Sequence, residues 1–75
     1  MGKGVNVVEL YGVGKRYDIG VTGGHRVSVV ARRDGKHELY VFDKGNEEPL
    51  AVVALDEEEA KLLAAVLTGT YFHAR

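Results

Sequence analysis

The 75-residue chain contains no cysteine and no tryptophan, a single proline and a single serine, Ser28. Without cysteine there are no disulfides and no thiolate metal sites. Ser28 sits in the middle of a strand-like run, and no other serine is present to act as a nucleophile. Long apolar runs are missing too, and none approaches the roughly 20 residues of a membrane-spanning helix. The N-terminal Met-Gly-Lys-Gly has no apolar signal region behind it, which leads us to expect a cytoplasmic protein. Charge of one sign is also scarce, with ten Lys/Arg against eleven Asp/Glu. Nucleic-acid binders usually carry a stronger basic excess. What is present is 45% hydrophobic and 28% charged residues, the composition of a soluble globular domain. The length allows one domain, residues 1–75, with a small core that self-association or docking could support.

The charge is unevenly placed. Residues 1–37 hold seven Lys/Arg and three Asp/Glu, whereas residues 38–75 hold three and eight. The simplest expectation is that the two halves pair in the fold. The alternative is a small nucleic-acid-binding β-domain with a basic sheet face built from Lys15, Arg16, Arg26, Arg32, Arg33 and Lys36.

The pattern predicts an α+β fold: an antiparallel sheet of four to five strands, then one C-terminal helix. Strand-like segments are Val5–Leu10, Lys15–Val21, Arg26–Arg32, His37–Phe42 and Leu50–Leu55. Asp34-Gly35 suggests a two-residue type I′ turn. That register sets Val27 against Phe42, Val29 against Tyr40, Val30 against Leu39 and Arg26 against Asp43, with His37 opposite Arg32. For the preceding hairpin, apolar matching favours a three-residue loop, Gly23-Gly24-His25, with Tyr17 opposite Ala31, Ile19 opposite Val29 and Val21 opposite Val27. Asp56 and Glu59 form a capping box ahead of a helix from Glu57 to Thr68, with Gly69 as its left-handed stop. Leu62 to Leu67 is apolar throughout, so one sheet face cannot cover it. With Val30, Leu39 and Val41 read onto the second sheet face, Leu62 and Val66 become candidate homodimer residues; Tyr71-Phe72 or a further domain could cover the same surface.

Gly12-Val13-Gly14-Lys15 looks like the end of a phosphate loop, but a P-loop needs glycine where Glu9 stands and a hydroxyl where Arg16 stands. A dinucleotide loop needs glycine at Tyr17, and no helix follows. We therefore expect no nucleotide or other cofactor. His25, His37 and His73 are too widely spaced for a helical metal site, and we expect neither a metal nor catalysis.

Three blocks carry a family resemblance: ELYGVGKRYDI (9–19), RRDGKHELYVFD (32–43) and AVVALDEEEAKLLAAVLTGTYF (51–72). In this order and spacing they resemble the N-terminal domain of KhtT-like regulatory subunits of bacterial potassium/proton antiporters. Tyr11 stands where that family usually has proline. The resemblance implies a non-enzymatic regulatory module, cytoplasmic and peripheral to the membrane through a transporter. Its expected partners are a second copy, the cation/proton antiporter membrane subunit and a TrkA-C-like domain, the last absent from these 75 residues. Tyr11, Lys15 and Arg16 are the candidate partner-binding residues.

Overall fold

A computed structural model describes residues 4–70. Five strands, β1 (Val5–Leu10), β2 (Gly14–Gly20), β3 (Arg26–Arg32), β4 (His37–Phe42) and β5 (Pro49–Leu55), form one antiparallel sheet in sequential order, and helix α1 (Glu57–Thr68) follows. The fold is α+β, as expected.

Three-residue connections set the registers of the first three hairpins. Leu10 pairs with Gly14 around Tyr11-Gly12-Val13, and the Val13 N–H donates to the Leu10 carbonyl at 3.0 Å. The Val21 N–H donates to the His25 carbonyl at 3.0 Å, which encloses Thr22-Gly23-Gly24. The loop length is as expected, but the loop lies one residue earlier. Pairing is accordingly shifted by two residues, with Tyr17 opposite Val29 and Ile19 opposite Val27. A two-residue shift preserves sidedness, so the apolar residues still share a face.

The third hairpin corrects the expected register. Arg32, rather than Arg33, pairs with Lys36, and its N–H donates to the Lys36 carbonyl at 2.9 Å. The loop is Arg33-Asp34-Gly35. Gly35 alone takes a positive φ, +89°, and no described non-glycine residue does. A type I′ turn would force Asp34 into the left-handed region as well. Instead its carboxylate accepts from the Lys36 N–H at 3.0 Å and from Arg32 Nε and Nη2 at 3.2 and 3.0 Å. These bonds favour the three-residue turn. Every pair moves by one residue: Arg26 faces Phe42, Val27 faces Val41, Val29 faces Leu39 and Ala31 faces His37. A one-residue slip exchanges the faces of a strand. Leu39 and Val41 thus join Val27 and Val29 on one face, and Tyr40 and Phe42 join Ser28 and Val30 on the other.

The helix is as expected. The Glu59 N–H donates to Asp56 Oδ1 at 2.8 Å and the Asp56 N–H to Glu59 Oε1 at 2.9 Å, closing the capping box. Gly69 ends the helix at φ +75°. The helix lies over the face of Ile19, Val27, Val29 and Leu39, but an apolar cleft of about 510 Å³ remains between them, walled on the helix side by Leu63, Ala64 and Leu67.

This leaves little closed core. Among the described residues only Gly14, Ser28 and Val30 are buried. The chain exposes 5927 Å², roughly 1,400 Å² above the ~4,500 Å² that surface-to-volume scaling gives for a folded monomer of this mass. Its radius of gyration of 13.6 Å likewise exceeds the ~11 Å of a compact 75-residue domain.

Candidate functional site

Gly12-Val13-Gly14-Lys15 turns β1 into β2 and holds the sheet end together. Gly14 pairs with Arg32, and the Arg33 N–H donates to the Val13 carbonyl at 2.7 Å. The strand that follows offers no helix N-terminus for a phosphate. The three candidate partner-binding residues do not converge. Tyr11 is 94% exposed at the turn tip. Lys15, opposite Ala31, lies on the helix-side face, while Arg16, opposite Val30, lies on the far face.

The far face is a lattice of paired charges. Arg16 donates to Asp18 Oδ2 from Nη2 at 3.0 Å, and Ser28 Oγ donates to Asp18 Oδ1 at 2.7 Å. Arg32 pairs with Asp34 at 3.0 Å and approaches Glu38 at 3.8 Å. Tyr40 donates its hydroxyl to Glu38 at 2.9 Å, and this bond, with some desolvation, raises the Tyr40 pKa. The Arg26 guanidinium lies 4.4 Å from the centre of the Phe42 ring and donates to the Asn46 carbonyl at 3.2 Å. His25, rather than Arg26, meets Asp43, at 3.1 Å. The Arg32–Glu38, His25–Asp43 and Arg26 contacts join the two halves, while Arg16–Asp18 and Arg32–Asp34 lie within the basic half; the carboxylates among these arginines correct the picture of a basic sheet face. Arg16, Arg26 and Arg32 do share one face, but Asp18 and Glu38 stand among them; Lys15 is on the opposite face, and Arg33 and Lys36 flank Asp34 at the third hairpin turn. Alternation places Arg16 and Asp18 on one face of β2, but it could not reveal the Asp18–Ser28 and Arg26–Phe42 contacts, because both depend on register.

Asp18 shows what the lattice does energetically. The Ser28 hydroxyl is the main cause holding its carboxyl below the ordinary value, assisted by Arg16 and opposed by partial burial. A lowered folded-state pKa adds stability above the unfolded value near 3.8, and that stability is lost as pH falls through the folded value. Ser28→Ala is therefore expected to raise the Asp18 pKa, read by carboxyl NMR titration. The stability gap between wild type and variant should narrow as the pH drops below 3.8. A gap that stays constant from pH 7 to pH 2 would count against the hydroxyl as its cause.

The helix-side surface is apolar and largely open. Val5 and Val7, each 53% exposed, continue it onto β1. Leu62 and Val66, 51% and 55% exposed, stand one helical turn apart on α1. The five candidate dimer residues are split by the corrected register. Val30 is buried on the far face, while Leu39 and Val41 are half-buried on the helix-side face. His37 also faces the helix side, and its Nδ1 is buried without a hydrogen-bond partner. Tyr71, Phe72 and His73 lie outside the described residues. Among the described residues no three His, Asp or Glu side chains cluster as metal ligands, and no helix is long and apolar enough to cross a membrane.

Fold and surfaces together define a small α+β domain with one charge-paired face and one open apolar face. The family model described as the K(+)/H(+) antiporter subunit KhtT, N-terminal domain, matches residues 3–71, and the chain belongs to that family. It is 32% identical over 65 residues to the K(+)/H(+) antiporter subunit KhtT of Bacillus subtilis (strain 168), covering 85% of this chain and 39% of that protein. It is 36% identical over 62 residues to the uncharacterized protein YrvC of the same organism, covering 81% of this chain and 38% of that one. The chain thus spans about two fifths of the length of these curated relatives.

Proposed function

We propose that this chain is a non-catalytic regulatory module that docks on the membrane subunit of a potassium/proton antiporter from the cytoplasmic side and works as a homodimer. The observation that carries this reading is the open apolar surface in a member of an antiporter-subunit family. A domain whose described residues include only three buried ones gains most from a protein neighbour. Leu62 and Val66 point the dimer toward α1, because they are large, apolar and exposed on one helical face. Tyr11, at the tip of the first turn, and Lys15 behind it remain available to the transporter, with a TrkA-C-like domain as a further neighbour.

Co-expression with the membrane subunit of a potassium/proton antiporter from the same genome tests the proposal. The chain should co-purify with that subunit in detergent and alter potassium-dependent proton flux in vesicles carrying it. Absence of both effects, with the chain shown to be folded, would remove the reading. Binding to nucleic acid at low salt that weakens steeply as salt rises would favour the alternative.

A further inference from the structure

The sheet has two edges, and they differ. Strand β1 carries Asn6 and Glu9 among its apolar residues. Strand β5, the other edge, reads Pro-Leu-Ala-Val-Val-Ala-Leu over seven residues with no charge at all. Its side chains are exposed on both sides of the sheet: Leu50 at 62%, Val52 at 52% and Val53 at 45%. Sheet edges are ordinarily protected by lysine, by inward charges, by bulges or by a covering element. Here the proline stands at the first position and the register irregularity lies at the same end, beside Val41 and Phe42, so among the described residues the rest of the edge is regular and unprotected.

Acidic residues bracket this strand. Glu47 and Glu48 precede it, and Asp56 to Glu59 follow it. Asp56 and Glu59 close the capping box, and Glu57 reaches Lys61 at 4.0 Å. Glu47, Glu48 and Glu58 form no ion pair among the described residues. The bracket also disfavours a second copy at this edge. Two-fold antiparallel pairing of β5 centred on Val52 would bring Glu47 and Glu48 of each copy up to Asp56 and Glu57 of the other, just beyond the strand ends, and close like charges repel.

We infer that β5 is a docking edge for one extended segment of a partner protein, apolar and β-branched in its middle and basic at both ends. Main-chain hydrogen bonds to β5 supply the attachment, and Glu47, Glu48 and Glu58 select the charge of the flanks. The inference rests on the functional reading above and makes it specific. Cytoplasmic segments of membrane proteins are rich in Lys and Arg close to the bilayer, which is the flank chemistry this edge requires.

The test uses the 75-residue chain and the synthetic peptide Lys-Arg-Thr-Val-Thr-Val-Thr-Arg-Lys, with a control bearing glutamate at its four flanking positions. Amide NMR shifts should concentrate on Leu50 to Leu55, with slowed amide exchange there. The basic peptide should bind at least tenfold more tightly than the acidic one. Glu48→Lys with Glu58→Lys spares the capping box and should sharply weaken that preference. Equal affinity for the two peptides, shifts centred on β1 or α1, or a preference unchanged in the double variant would each overturn the inference. If the double variant still co-purifies with the membrane subunit while its peptide preference falls, transporter docking stands and β5 is not its route. Loss of co-purification already in wild type points instead at the functional reading.

Discussion

Gly14→Ala is expected to abolish or nearly abolish folding, whereas Gly12→Ala, two residues earlier, is expected to be tolerated. Both glycines have positive φ, +77° at Gly12 and +153° at Gly14. The difference is what surrounds them. A Cβ on Gly12 meets nothing within 4 Å, so its cost is the left-handed backbone alone, about 1–2 kcal/mol. A Cβ on Gly14 would drive into the Ala31 carbonyl and stand 2.9 Å from the Arg32 Cα. Those atoms are main chain of the central strand β3 and cannot rotate away. Moving them breaks the β2–β3 register and the Val13–Arg33 bond that closes the sheet end. Strain of about 1–3 kcal/mol for an unfavourable φ adds to this displacement, for a total above about 4 kcal/mol. A domain of this length has roughly 4–11 kcal/mol in all. Urea unfolding at fixed protein concentration checks the contrast. Midpoints for the two variants that agree within error would show that β3 yields, and would sink the argument.

This contrast also changes the meaning of Gly12-Val13-Gly14-Lys15. From sequence, the two glycines are equivalent parts of an apparent phosphate loop that fails at Glu9, Arg16 and Tyr17. In the fold, one relaxes a turn and the other permits contact between two strands. That information belongs to β3, about 17 residues away in the chain, and no local pattern holds it.

Elements were legible wherever the signal was local. Asp56, Glu59 and Gly69 specify both ends of α1 by bonds that lie within three or four residues. Strand positions follow from alternation and β-propensity in the same way. Registers were less legible, because Asp34-Gly35 is compatible with a two-residue and a three-residue turn. What decided between them was the Arg32–Asp34 pair and the Asp34–Lys36 bond. The cost of that single-residue error fell on the candidate surfaces. It placed Leu39 and Val41 with Val30 on a supposed second apolar face, where the molecule instead has Tyr40 and Glu38 in a charged lattice. Leu62 and Val66 stand exposed, since a six-residue apolar run encircles any helix whatever the sheet register.

Leu62→Glu combined with Val66→Glu is expected to convert the proposed dimer into a monomer. The two side chains project from adjacent turns of α1 and are more than half exposed. They are therefore free to meet a two-fold copy of themselves, as an isologous contact requires. Four buried aliphatic side chains per dimer contribute at least about 3 kcal/mol, so their loss should weaken self-association by ~100-fold or more. Carboxylates facing one another across the axis add repulsion. Analytical ultracentrifugation from 1 to 500 μM reads the outcome, and circular dichroism confirms that α1 persists through its intact cap. A wild-type chain that stays monomeric across that range would remove the dimer. A double variant that stays dimeric would move the interface to the other open part of the same side, where Val5 and Val7 extend the apolar face beyond the helix.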